Sequence, residues 1–132
     1  MIAIEHIPTI LVCDDEDVLR ALVRATLDLG EYRIVEARDG EESLELARRE
    51  RPDLIVIDMM MPGKTGLEVV AELRRDADLA NTPVIVLTAR AQATDRDAAE
   101  RAGVDRYLAK PFSPSALADT VEELIRERRR VA

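Results

Sequence analysis

Apolar residues recur along this chain in two alternating rhythms. Five short runs rich in Val, Ile and Leu, at residues 9–13, 32–37, 54–57, 84–87 and 106–109, predict β-strands. Between and after them, apolar residues return every three or four positions, the spacing of an amphipathic helix. The first helix is predicted over residues 16–29, with Leu19, Leu22, Val23 and Leu27 inward and Gly30 as its stop. The second covers 41–50 and ends ahead of Pro52, whose ring disfavours a helical residue before it. The third, over 65–76, turns Leu67, Val70 and Leu73 inward. The fourth, over 91–102, is alanine-rich and weakly amphipathic, and stops at Gly103. The last starts at a Ser113 cap with Pro114 in first position and carries Leu117, Val121, Leu124 and Ile125 on one face.

Strand and helix alternating five times predict an α/β fold: a flavodoxin-like five-stranded parallel sheet with helices on both faces. The first, third and fourth strands are unbroken apolar runs, as interior strands buried on both faces require. The 132 residues fit one domain, taken as 1–132 with a core of about 8–128, and contain no internal repeat or low-complexity segment. Met1 and the short stretch after the last helix favour a single-domain protein, although a domain cut from a longer chain has the same pattern.

Composition narrows the picture. Aromatic residues are only 2%, so the core must be aliphatic. A net charge of −8 argues against direct nucleic-acid binding, which needs a basic face. The single cysteine, Cys13, cannot form an internal disulfide and lies in an apolar run. No apolar stretch approaches the roughly 18 residues of a membrane span, so no membrane partner is expected and the cytoplasm is the default location.

Ligands of open α/β sheets bind beyond the carboxyl ends of the strands, so the residues that follow each run carry the chemistry. These are Asp14, Asp15 and Glu16 after the first, Asp58 after the third, Thr88 after the fourth and Lys110 after the fifth. Carboxylates, a hydroxyl and an ammonium group converging on one edge suit a hard cation such as Mg²⁺. They also suit transfer of a phosphoryl group to a carboxylate, with lysine and metal neutralising the developing charge. Any one of these residues alone would be read as a helix cap or a loop residue; their shared position on different strands is the signal.

Four segments, ILVCDDE (10–16), PDLIVIDMMMPGKTG (52–66), PVIVLTA (83–89) and YLAKPF (107–112), resemble the receiver domains of two-component response regulators, the chemotaxis-regulator type included. The resemblance covers about residues 8–128. It implies a phosphorylation-dependent signalling switch, not an enzyme beyond phosphotransfer to itself and autodephosphorylation. Asp58 would be the phosphoacceptor. Mg²⁺ would be held by Asp15, Asp14, Asp58 and the Met60 carbonyl. Thr88 and Lys110 would engage the phosphoryl oxygens, and Tyr107 would be the rotating aromatic switch. The Lys110–Pro111 bond is cis in the family. The partners implied are a sensor histidine kinase or phosphotransfer protein and a downstream protein that reads the face of helix four, strand five and helix five. Met60 and Arg90 occupy positions that the family varies to set phosphate lifetime. The chain departs from the common Met-Asp-Gly at Lys64, Thr65 and Gly66, where Thr65 still serves as a cap for the third helix.

Other features read blandly. His6 is a lone residue in the N-terminal segment. Met59–Met61 reads as turn and core filling, and Arg126, Arg128, Arg129 and Arg130 as a solvated helix end. Gly63-Lys64-Thr65 imitates a phosphate loop, but the required glycine five places earlier is Asp58. Among competing functions, one is the receiver part of a longer regulator with DNA-binding or enzymatic output. A Mg²⁺-dependent phosphohydrolase would want a second aspartate where Met60 stands, and a flavin module would want aromatic stacking that this chain lacks.

Overall fold

The structure, a computed structural model, describes residues 7–89 and 93–131. In chain order the elements are β1 (Thr9–Cys13), α1 (Asp17–Leu27), β2 (Arg33–Ala37), α2 (Gly40–Glu50), β3 (Leu54–Asp58), α3 (Gly66–Arg75), β4 (Val84–Thr88), α4 (Ala93–Ala102), β5 (Arg106–Ala109) and α5 (Pro114–Val131). The strands form one parallel sheet in the order β2-β1-β3-β4-β5. This is the expected flavodoxin-like arrangement, with the order reversing beside β1 and β3.

The strand pattern explains the layering. Every residue of β1, β3 and β4 is buried, whereas β2 and β5 at the edges are only partly covered. Alternate side chains then feed two separate cores. On one face Leu11, Cys13, Ile55, Ile57, Val84 and Val86 pack with α2 and α3 through Leu44, Ala47, Val70 and Leu73. On the other, Ile10, Val12, Val56, Ile85 and Leu87 pack with α1 and α5 through Val23, Leu27, Leu117, Val121 and Leu124. Each such side chain contributes roughly 1.5–3 kcal/mol by burial. Burial pushes the Cys13 thiol up to about 12, so it is a neutral core group.

Local signals set most boundaries. Asp39 caps α2 by accepting the Glu42 N–H at 2.8 Å, which starts that helix at Gly40, one residue before the predicted position. Thr65 and Glu68 form a reciprocal capping box at the start of α3. Ser113 Oγ accepts the Ala116 N–H at the start of α5, and all four apolar residues assigned to that helix's inner face are buried.

The pattern overreached on α1. Leu22 is 43% exposed, and Val23 and Leu27 alone are fully buried on that helix. The inward stripe is narrower than four apolar residues: Arg20 takes the flank towards β2, and Leu22, roughly 200° round the helix from it, is left on the other side. Helix α1 also ends at Leu27, two residues early, with the Asp28 N–H donating to the Arg24 carbonyl ahead of Gly30. On α3, Val69 is buried and Leu67 only partly so.

At the end of the sheet away from the strand C-termini, Arg74 binds the connections together. Its guanidinium lies within 3.2 Å of the carbonyls of Leu79, Ala80, Thr82 and Gly103, and pairs with Asp105 at 3.1 Å. Asp105 in turn accepts the Val84 N–H at 2.8 Å. Arg74→Met would keep the stem but orphan several half-buried carbonyls. The expected loss is about 2–4 kcal/mol of unfolding free energy by urea denaturation, and a loss below about 1 kcal/mol would contradict this account.

Candidate functional site

The sheet delivers four chemically active side chains to one edge. Asp14 follows β1 directly, with its N–H donating to the Ala37 carbonyl at 3.1 Å as a last rung of the β1–β2 ladder. Asp58 and Thr88 are the final residues of β3 and β4, one position further into the strands than expected, and both are buried. Lys110 follows β5, its N–H donating to the Thr88 carbonyl at 2.6 Å. The Lys110–Pro111 peptide is cis, as the resemblance implied.

The loop from Asp58 to α3 returns tightly. The Gly66 N–H donates to the Met59 carbonyl at 2.8 Å, and a Cβ on Gly66 would lie 2.5 Å from the Asp58 carbonyl oxygen. Only glycine permits that approach, so α3 starts against the backbone of Asp58. Within the loop, the Met60 N–H donates to Asp58 Oδ2 at 3.1 Å. Of the three consecutive methionines, Met61 is buried, Met59 is partly buried and Met60 is 67% exposed. The expected turn and core filling therefore hold for two of the three.

Lys110 Nζ pairs with Asp58 Oδ1 and lies 3.9 Å from Asp14 Oδ2. Asp14 Oδ1 accepts the Glu16 N–H at 2.9 Å, while Oδ2 is buried and has no hydrogen-bond partner among the described residues. Carboxylate oxygens of Asp14, Asp15 and Asp58 all lie within 4.8 Å of one another. Asp15 is exposed and the other two are buried. Three carboxylates, one oxygen of them orphaned inside the protein, are the donor set of a hard divalent cation that also binds solvent or substrate oxygens. The residues fit Mg²⁺.

Desolvation raises the Asp14 carboxyl from its ordinary 3.8 to about 6; the Glu16 N–H opposes this, the Asp58 charge adds to it, Lys110 opposes and Asp15 adds. The cluster is thus arranged at the expense of carboxylate solvation, and a cation relieves it.

Tyr107 lies outside this pocket. It sits on β5 opposite Val86, half-buried against the α2–α3 core. The Arg96 guanidinium stands 5.8 Å from its ring centroid. A cleft of about 210 Å³ between α4 and β5 opens beside both residues. Arg90 and His6 lie outside the described residues. One residue of the site escaped the sequence reading. Arg20 Nη1 donates to the Asp14 carbonyl at 2.8 Å. A basic residue one turn into the helix that follows paired acids was the available signal.

Comparison with known proteins agrees with this fold. The family model described as the response regulator receiver domain matches residues 10–122. A probable transcriptional regulator, ycf27, of Porphyridium aerugineum is 40% identical over 117 residues, covering 89% of this chain and 48% of its own length. The chain spans about half the length of the curated relatives it matches. Among solved structures, the chemotaxis response regulator CheY4 of Vibrio cholerae superposes with a TM-score of 0.85 at 31% identity, covering 90% of this chain and 99% of that one. The receiver domain of a sensor histidine kinase from Pseudomonas aeruginosa PAO1, described with a magnesium ion coordinated in its active site cleft, gives 0.82 at 32% identity, covering 89% and 97%.

The raised Asp14 carboxyl has a thermodynamic sign opposite to that of a salt-bridged aspartate. Between pH 3.8 and about 6 the native state binds more protons than the unfolded state, so this group's contribution falls as pH rises and the penalty is complete above 6. In EDTA, Asp14→Asn should therefore be more stable than the unsubstituted protein at pH 7, by on the order of 3 kcal/mol. The gain should shrink through pH 5 and vanish below 3.8, as measured by urea denaturation of both proteins at each pH.

Proposed function

This chain belongs to the response regulator receiver domain family of two-component signalling systems, and on that premise we propose that it is a switch operated by phosphorylation of Asp58. The observation that carries the reading is the meeting of Asp58 with Lys110 inside a cluster formed with Asp14 and Asp15. The phosphoryl donor is a phosphohistidine of a sensor kinase or phosphotransfer protein. An Asp58 carboxylate oxygen attacks phosphorus as the phosphorus–nitrogen bond of the donor breaks. The acyl phosphate stays on the chain and the imidazole departs, taking a proton from solvent.

Each neighbouring group has a share in that step. Lys110, already paired with Asp58, moves its charge to the incoming phosphoryl oxygens. The Met60 N–H holds Oδ2 so that Oδ1 faces the donor. Asp14, Asp15, Asp58 and the Met60 carbonyl would hold Mg²⁺, which supplies charge neutralisation at the phosphoryl group when bound. Thr88 donates a hydrogen bond to a phosphoryl oxygen. Tyr107 changes rotamer as the end of β4 adjusts, and the α4–β5–α5 face is what a downstream protein reads. Met60 at the pocket mouth, together with Arg90, sets how readily water reaches the acyl phosphate for autodephosphorylation.

The switch acts in the cytoplasm as a single receiver unit. Among the described residues no helix is long and apolar enough to cross a membrane. With a net charge of −8, this unit does not itself contact DNA. A DNA-binding output in a longer protein is the second reading, favoured by the similarity to probable transcriptional regulators of about twice this length.

Acetyl phosphate with Mg²⁺ should add one phosphate to the chain by intact mass, and Asp58→Asn should show no adduct. An undiminished adduct in that variant would sink the assignment. Thr88→Ala, phosphorylated to the same measured extent, should lose most of the amide shift changes on α4, β5 and α5 in NMR spectra; full-sized changes would mean that the signal leaves Asp58 by another route.

A further inference from the structure

We infer that Arg20 is the positioning residue of the two carboxylates after β1, and that it acts through the main chain. The inference rests on the reading of Asp14 and Asp15 as metal ligands.

The Arg20 side chain is only 12% exposed and its guanidinium meets three acceptors. Nη1 donates to the Asp14 carbonyl at 2.8 Å, Nε to Glu36 Oε1 at 2.9 Å and Nη2 to Asp17 Oδ1 at 2.7 Å. Glu36 is held in turn by β2, whose ladder aligns it with Val12, and by Arg24 Nη1 on its other oxygen at 2.5 Å. Arg20 therefore joins the Asp14 carbonyl to the sheet through a rigid fork.

That carbonyl belongs to a special peptide unit. The plane between Asp14 and Asp15 contains the Cα atoms of both residues. Fixing its oxygen fixes the direction in which each carboxylate leaves the backbone. The N–H of Asp14 is held from the other side by the Ala37 carbonyl at 3.1 Å. Repulsion among Asp14, Asp15 and Asp58 would be relieved most simply by rotating this plane and swinging Asp15 away. Arg20 bars that motion. An exposed pair such as Arg24–Asp28, with both side chains 44% exposed, does nothing comparable.

Arg20→Lys separates geometry from charge, because lysine keeps the positive charge but loses the planar fork. The experiment titrates Mg²⁺ calorimetrically into the full chain, its Arg20→Lys and Asp15→Asn variants, with thermal unfolding of each in EDTA. Arg20→Lys should bind Mg²⁺ about tenfold more weakly, the usual scale for losing an outer partner of a metal ligand. Its unfolding in EDTA should remain cooperative. Binding within twofold of the unsubstituted protein, while Asp15→Asn loses it, would overturn the role of Arg20 and leave the metal reading standing. Unchanged binding by Asp15→Asn would overturn the metal reading itself. If Arg20→Lys fails to fold, Glu36→Gln takes its place: it loosens the anchor without touching the pocket. A weakening of about threefold supports the proposal, and unchanged affinity overturns it.

Discussion

Three carboxylates held within 4.8 Å of one another repel, and the protein has to keep them there before any ligand arrives. Everything around the pocket answers that repulsion. Lys110 enters from β5 to neutralise Asp58, and the Met60 and Glu16 amides donate to the remaining lone pairs of Asp58 and Asp14. Arg20 fixes the peptide between the first two acids. One oxygen of Asp14 has no hydrogen-bond partner among the described residues, only the Lys110 ammonium 3.9 Å away, and it is there that the cluster departs from the near-complete pairing of buried polar groups. A cluster whose donors suit a divalent cation is thus held in a state that is uncomfortable without one.

Such a state needs a stiff frame. The central strands β1, β3 and β4 are wholly buried and bonded on both sides, so the ends that carry Asp14, Asp58 and Thr88 cannot drift independently. The two aliphatic cores grip the sheet from opposite faces. Gly66 brings the start of α3 against the Asp58 carbonyl, and the short loop between them has no slack. The rigid frame and the strained charge cluster are complementary: the first makes the second possible.

The division between legible and hidden features follows from what sequence pattern measures. Period-two and helical repeats report burial, and they located all ten elements because burial built them. They also placed Asp14, Asp15, Asp58, Thr88 and Lys110 at one edge, since parallel strands all end on the same side. The pattern failed where a residue's environment is set by a polar partner. Leu22 looked inward because it is apolar and correctly spaced, yet it is exposed, while Arg20 on the far side of the helix is drawn against β2 by bonds to Glu36 and the Asp14 carbonyl. The role of Arg20 depends on a main-chain oxygen six residues away, and no periodicity encodes that. The one-residue extensions of β3 and β4 into Asp58 and Thr88 were hidden for a related reason. Polar residues end an apolar run before they end a hydrogen-bonded ladder.

The solitary thiol of Cys13 has a use unrelated to signalling. It sits in the middle of the sheet, one residue before the acid pair, neutral and without solvent access. A thiol-specific alkylating reagent can reach it only when the core between the sheet and α2 opens, because its side chain packs there with Leu44 and Ala47. The labelling rate therefore counts openings of that core, whether by release of α2 or by unfolding of the sheet. With a single cysteine in the chain, each modified molecule records one such excursion. The protein carries its own clock for the opening of this core, readable by mass in the presence or absence of any ligand.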